Sequence, residues 1–181
     1  MVDKVETEWE IIERSKHDLQ YFEPLYTKYY PKILSFVYKR VDCIDDAYEL
    51  STETFGKAMV NIKKYKDKGF PFSSWLYRIA LNEIALFYRA KSKMRCINID
   101  SVSITNVASE TETDQQELKV ILKAALQYVD EKDLIVLELR FFEERPFSEI
   151  SEILDITESN AKIRTYRALD KLKIIFQKLS K

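Results

Sequence analysis

Glycine and proline are scarce in this chain, which has two glycines and four prolines among 181 residues. A protein built on β-hairpins needs more glycine for its tight turns, so this composition favours an all-α fold. Glycine-rich loops that bind phosphate require clustered glycines where the backbone approaches the ligand. The composition therefore excludes that class of nucleotide site.

Residues that commonly carry catalysis or bind metal are also few. His17 is the single histidine, so we expect no Ser–His, Cys–His or multi-histidine arrangement. Cys43 and Cys96 lie far apart and form no CxxC pair that could hold zinc. We therefore expect no catalytic residue, no metal and no cofactor, with carboxylate-only catalysis as the remaining enzymatic alternative.

Nothing in the sequence indicates export or membrane insertion. The two scattered thiols and the lack of a secretory leader are typical of a reducing, cytoplasmic setting. The longest apolar runs extend over only a few residues, so no membrane-spanning segment is expected.

A polar, acidic segment separates two blocks that are rich in apolar and aromatic residues. Residues 98–117 contain no Lys, Arg or aromatic residue and carry five acidic side chains. Such a segment buries too little apolar surface to offset its ordering entropy. The sequence predicts helical domains at 17–96 and 115–181, joined by a flexible acidic linker at 97–114.

The first block has the apolar spacing of a small helical bundle. A helical stripe runs from Ala47 to Ile62, with Asp45 or Asp46 as the candidate N-cap. Residues 19–41 are also helical in pattern, and Pro31 should kink or divide them. A loop at 64–72 follows, and Ser73 or Ser74 is expected to cap the next helix. Residues 1–16 form either a short extra helix or a loose segment.

The second block shows four consecutive helical patterns. They cover Leu118–Val129, Glu131–Phe142, Phe147–Leu154 and Glu158–Leu179. The last two are separated by three residues, and Thr157 is a suitable N-cap for the final helix. Two helices joined by so short a turn predict a helix-turn-helix.

Charge is unevenly distributed although the formal net charge is −1. Residues 87–95 carry four basic side chains and no acid, and residues 160–181 carry seven basic side chains and one acid. Basic helix ends on otherwise acidic domains are typical of proteins that contact phosphates over limited surfaces. From Lys171 onward, however, a solvated helix end is the favoured interpretation.

The predicted final helix has one inward and one outward face. Its inward face carries Ala161, Thr165, Ala168 and Leu172. In this motif the start of the second helix enters the major groove, where Arg or Lys pairs with guanine and Asn with adenine. The candidate DNA-binding residues are Ser159, Asn160, Lys162, Ile163, Arg164, Tyr166 and Arg167.

With these features assembled, the chain resembles a bacterial RNA polymerase sigma factor of the two-domain, extracytoplasmic-function group. One match is the segment DAYELSTETF at 46–55 together with FSSWLYRIALN at 72–82. Another comprises LELRF at 137–141, FSEISEIL at 147–154 and RALDKL at 167–172. The resemblance covers residues 20–178 and implies that the first domain opens the minus-ten element while the second contacts the minus-thirty-five element.

The resemblance also implies site residues in the first domain. The polymerase-binding positions are Asp46, Glu49, Leu50, Thr52 and Glu53, of which Leu50 also suits the core. The minus-ten positions are Tyr65, Lys66, Gly69, Phe70, Arg78, Asn82, Arg89 and Lys91. Core packing is the favoured role for Phe72 and Trp75, whereas Tyr65 and Phe70 suit either the core or stacking on an unpaired base.

Some positions depart from the family pattern. Asp155 stands where glycine is usual in the turn, and Asp tolerates a left-handed backbone better than most residues. Ala161 and Thr165 replace larger aliphatic residues on the inward face, and the proline usual near Val129 is absent. A thinner core beneath the final helix is expected.

The implied function is promoter-specific initiation without a catalytic centre. Its implied partners are core RNA polymerase (clamp helices and flap), promoter DNA and an inhibitory anti-sigma factor. The alternative is a helix-turn-helix regulator that dimerises and binds DNA without polymerase. A protein-interaction module that no longer binds DNA also remains open.

Overall fold

The computed structural model describes residues 6–91 and 112–180, with side chains from residue 118 onward in the second range. Within these ranges every regular element is helical, which confirms the all-α prediction. The helices are α1 (Glu8–His17), α2 (Glu23–Tyr38), α3 (Ile44–Asn61), α4 (Phe72–Lys91), α5 (Glu112–Leu126), α6 (Glu131–Leu137), α7 (Phe147–Leu154) and α8 (Glu158–Leu179). None of the described helices has the length and apolarity needed to span a bilayer.

The described residues form two compact units. Residues 39–42 group with the helices from α5 onward, and the other residues up to Lys91 form the first unit. Most of the linker expected at 97–114 lies outside the described residues. Its last three residues are the first turn of α5, which begins at Glu112 rather than at Leu118 as the apolar pattern predicted.

The N-terminal segment contributes a helix to the first unit. Thr7 caps α1 through a reciprocal capping box with Glu10. The Glu8 carboxylate accepts a hydrogen bond from Tyr29 Oη at 2.7 Å and pairs with Lys28, both on α2. Ile12 is buried beneath the helix. The first unit therefore begins before residue 17.

Aromatic rings fill the core of the first unit. Phe22 packs edge-on against Phe55 and Phe72, with ring centroids 6.5 and 6.4 Å apart. Phe36 meets Tyr77 edge-on at 4.6 Å. Such pairs add stabilisation beyond their apolar area. The buried stripe predicted for α3 is confirmed, and it consists of Ala47, Leu50, Ser51, Thr54, Phe55 and Ala58.

The starts of two helices differ from the predictions. Cys43, in an extended conformation, caps α3, and its Sγ accepts a hydrogen bond from Asp46 N at 3.4 Å. Asp45 and Asp46 lie in the first turn of α3, where acidic side chains interact favourably with the positive end of the helix dipole. Helix α4 begins at Phe72, so Ser73 and Ser74 lie buried in its first turn instead of capping it.

Pro31 does not divide α2. The residues before Glu23 form a separate 3-10 turn, Leu19–Phe22, and α2 then continues through Pro31 to Tyr38. The break in the predicted helix thus falls eight residues before the proline.

In the second unit, α6 and α8 enclose a compact apolar core. Buried residues of this core are Leu126, Val129, Leu134, Val136, Leu137 and Ala168. The predicted helix at 131–142 is α-helical only to Leu137 and continues as a π-helical turn, Glu138–Phe142. The wider turn closes with a hydrogen bond from Glu143 N to Glu138 O at 3.0 Å.

Candidate DNA and polymerase surfaces

The turn between α7 and α8 sets the direction of the final helix. Asp155 ends α7 in the left-handed region, at φ 54° and ψ 49°, as its place in the turn required. Thr157 caps α8 by accepting a hydrogen bond from Asn160 N at 3.2 Å, which confirms the predicted cap. These two residues build the helix-turn-helix from local interactions.

The inward face of α8 is made of small side chains. Ala161, Thr165 and Ala168 are fully buried, as predicted, whereas Leu172 is only partly buried. Thr165 Oγ1 donates to Ala161 O at 2.8 Å, so its hydroxyl is satisfied within the helix. Because these side chains are short, the backbone of α8 can lie close to the helices beneath it.

The outward face of α8 carries the candidate base-contacting residues. Ile163 is 50% exposed and Tyr166 52% exposed, and the two lie one turn apart on this face. The Tyr166 ring lies 6.1 Å from that of Phe147 at the start of α7. The other exposed members of this face are Ser159, Asn160, Lys162 and Arg167.

Arg164 has a different environment from its basic neighbours. It is half-buried, and its Nη2 donates a hydrogen bond to Lys132 O at 3.2 Å. This bond holds α8 against the start of α6. Arg164 therefore differs in exposure from Lys162 and Arg167, the basic residues with which the sequence grouped it.

In the second half of α8, Lys171 forms ion pairs with two acidic residues. Its Nζ lies 2.5 Å from Asp133 Oδ2 and 3.6 Å from Asp130 Oδ2. The hydrogen bond to Asp133 is the main cause that raises the pKa of Lys171 above its ordinary value. Lys171 therefore has acidic partners within the second unit, which the interpretation as a solvated helix end did not include.

In the first unit, two aromatic residues of the loop before α4, Tyr65 and Phe70, differ in their surroundings. Tyr65 is half-buried, and its ring packs 5.1 Å from Phe72 and 5.0 Å from Trp75. Phe72 itself is buried, in agreement with its predicted core role. Phe70 is also half-buried and lies at the tip of the loop. Tyr65 therefore supports the core, and Phe70 is the better candidate for a base.

A glycine and an aspartate shape the tip of that loop. Gly69 has φ +80°, a conformation that other residues rarely adopt. Its amide donates to Asp67 Oδ1 at 2.7 Å. Lys66, beside this turn, is exposed to solvent. The loop thus exposes a cation beside a defined backbone turn.

Three of the minus-ten positions on α4, Arg78, Asn82 and Arg89, share one side of the helix because they recur at spacings of four and seven residues, whereas Lys91 lies on the opposite side at the end of the helix. Asn82 and Arg89 are exposed, and Arg78 is half-buried. The buried Glu83, on another side of α4, forms an ion pair with Lys57 of α3 and joins the two helices. The side of α4 that carries Asn82 and Arg89 is therefore open to a binding partner.

The polymerase-binding positions divide by exposure along α3. Glu49, Thr52 and Glu53 are exposed on its outer side. Leu50 is only 5% exposed and belongs to the core, the role that its apolar position also suited. Its position on α3 turns the side chain inward.

Two residues assigned to different surfaces contact each other. Lys91 Nζ lies 3.1 Å from both carboxylate oxygens of Asp46. The same ammonium group sits 4.0 Å from the centre of the Phe87 ring. The sequence could not reveal this pair, because 45 positions separate its members and only the packing of α3 on α4 brings them together.

Two family models match different parts of the chain. The family model for sigma-70 region 2 matches residues 25–94, and the model for sigma-70 region 4 matches residues 125–173. The first match contains α3, α4 and the loop between them that carries Tyr65 and Phe70, called the aromatic loop below. The second match contains the helix-turn-helix.

Three relatives from Bacillus subtilis strain 168 match most of the chain. RNA polymerase sigma factor YlaC is 28% identical over 83% of this chain and 89% of its own length. RNA polymerase sigma factor SigZ is 29% identical, covering 86% of each chain. The ECF RNA polymerase sigma factor SigW is 26% identical over 87% of this chain and 90% of its own.

Among solved structures, CnrH in complex with the cytosolic domain of CnrY has a similar fold. The TM-score is 0.62 at 17% identity, and the match covers 92% of this chain and 95% of that chain.

Proposed function

The chain belongs to the sigma-70 family of RNA polymerase sigma factors, in the extracytoplasmic-function group, and on this basis we propose how its two units divide the work of promoter recognition. The second unit contacts the duplex minus-thirty-five element with the outward face of α8. The first unit binds the polymerase clamp with α3 and engages the minus-ten element with α4 and the aromatic loop.

The exposed face of α8 is the observation that carries the proposal for the second unit. Lys162 and Arg167 can donate to guanine edges, and Asn160 can pair with adenine. Ile163 can contact a thymine methyl group, which would cover its exposed side chain. A good bidentate base contact contributes roughly 1–3 kcal/mol of discrimination. Arg164 instead positions α8 through its bond to Lys132 O.

In the first unit, Phe70 is proposed to stack on an unpaired minus-ten base. The exposed cations Lys66, Arg89 and Lys91 would lie along the phosphates of the opened strand. Stacking on an aromatic ring contributes roughly 1–3 kcal/mol per base, so opening can draw on binding energy to exposed bases. Phosphoryl transfer belongs to the polymerase, and this chain supplies no catalytic step.

The acidic side of α3 is proposed to contact the clamp helices. Glu49 and Glu53 lie one turn apart on that side, and Thr52 lies beside them. Two exposed carboxylates one turn apart suit a partner helix with basic side chains. The flap is the proposed partner of the second unit. An anti-sigma factor is a further proposed partner, in line with the family resemblance and with the CnrH–CnrY complex. The proposed place of action is the cytoplasm.

Run-off transcription tests the proposal as a whole. Purified bacterial core RNA polymerase is incubated with a promoter library, with and without the full chain. We expect promoter-specific transcripts only in its presence. A Glu49→Lys variant should lower polymerase capture in a pull-down, with Glu13→Lys on α1 as the charge-matched control. Tight, polymerase-independent binding of a dimer to a palindromic site would instead support the helix-turn-helix regulator.

A further inference from the structure

A glycine occupies the middle of the solvent-facing side of α3. Gly56 lies directly opposite the buried stripe of the helix, because its helical position is about half a turn from that of Thr54 and Ala58. Apart from its chain neighbours and the nearby backbone of α3, a Cβ added at Gly56 would meet no atom of the described residues within 4 Å. Nothing in the packing of the first unit therefore requires this position to be glycine.

Glycine is nevertheless unfavourable at this place. It lowers helix stability in an interior position because it has more backbone freedom to lose than alanine. Gly56 lies twelve residues after Ile44 and five before Asn61, well inside α3. Glycine in such a place is commonly used where another backbone or ligand approaches closely.

The residues around Gly56 indicate what kind of partner would approach. On its N-terminal side, Glu49 and Glu53 are exposed carboxylates on the same side of α3. One turn after it, Val60 is 79% exposed, among the most exposed large apolar side chains of the described residues. A partner that complements this face needs basic groups at one end and an apolar side chain at the other.

We propose that Gly56 is the point of closest approach between α3 and an amphipathic, basic helix of core RNA polymerase. The absent side chain lets the two helix backbones approach, Glu49 and Glu53 pair with basic residues of the partner helix, and Val60 is covered by one of its apolar side chains. This inference rests on the proposed binding of polymerase by α3, and it adds the position at which the helices cross and the apolar part of the contact.

The test uses the full chain and purified bacterial core polymerase. Gly56→Ala should raise the melting temperature of the free chain by about 2–8 °C, because it removes the helix penalty of glycine. The same variant should weaken polymerase binding about tenfold, and Gly56→Leu should weaken it further. Ser35→Leu, which adds the same side chain at an exposed position of α2, is the control and should bind like the unmodified chain.

The outcomes separate this inference from the function on which it rests. Higher stability with weaker binding for Gly56→Ala supports the crossing at Gly56. If both Gly56 variants bind polymerase normally while Glu49→Lys does not, the crossing is overturned and α3 remains the polymerase-binding helix. A lower melting temperature for Gly56→Ala also overturns it, because the fold would then need the glycine. Failure of the unmodified chain to bind polymerase removes the proposed function itself.

Discussion

Releasing Lys91 from Asp46 should increase the affinity of the free chain for single-stranded minus-ten DNA. Both oxygens of Asp46 lie 3.1 Å from Lys91 Nζ, so this carboxylate competes with DNA phosphate for the same ammonium group. Asp46→Asn removes the competing charge and leaves a side chain of the same size. Lys91 remains against Phe87, 4.0 Å from the ring centre.

The size of the expected gain in DNA affinity follows from the exposure of the ion pair between Lys91 and Asp46. The Lys91 side chain is 43% exposed and that of Asp46 18% exposed, which places the pair near the surface. Ion pairs of this kind contribute about 0.2–1 kcal/mol, so the variant should bind about 1.4- to 5-fold more tightly. One additional phosphate contact should also steepen the dependence of log K on log salt by about 0.7.

Fluorescence anisotropy with a labelled single-stranded minus-ten oligonucleotide measures both quantities. Asp45→Asn changes the net charge equally from an exposed position in the same turn and serves as the control. The double variant Asp46→Asn/Lys91→Ala should lose the gain. Equal affinities for the Asp45 and Asp46 variants would refute the reasoning, because the gain would then come from net charge and not from Lys91.

Three further predictions concern the other surfaces. Arg167→Ala should reduce run-off transcription from promoters with a minus-thirty-five element roughly 5- to 150-fold, because one base contact contributes about 1–3 kcal/mol of binding free energy. Lys178→Ala should leave this transcription unchanged. Phe70→Ala should spare duplex binding but reduce the permanganate reactivity of minus-ten thymines, and normal reactivity would count against base capture. Thr157→Ala should lower the free energy of unfolding of the second unit by about 1 kcal/mol in a denaturant titration, because Asn160 N loses its cap.

The candidate DNA face of α8 was predictable because local patterns determine it. The small inward residues recur at helical spacing, and Thr157 and Asp155 suit the cap and the left-handed turn by their own chemistry. These local patterns could not distinguish the role of Arg164 from that of Lys162. Only the position of α6 brings Lys132 O within reach of its guanidinium group.

The first unit shows the same limit in its aromatic residues. Periodicity placed Leu50 in the core, since it lies on the apolar stripe of α3, and Phe72, for which core packing was the favoured role, is buried as well. For Tyr65 the sequence left core packing and base stacking equally open, because loops have no periodicity that would indicate direction. Only the fold shows that the rings of Phe72 and Trp75 lie against Tyr65, which favours the core role.

The sequence by itself determined the helical class, two helical blocks separated by an acidic segment, and the outward face of the final helix. Those properties depend on composition and on residues a few positions apart, whose interactions repeat with the helical period. Only the tertiary structure decided that Asp46 holds Lys91 and that, among the described residues, no other part of the fold fills the space beside Gly56. Each of these depends on where the backbone places residues in space, which no local spacing specifies.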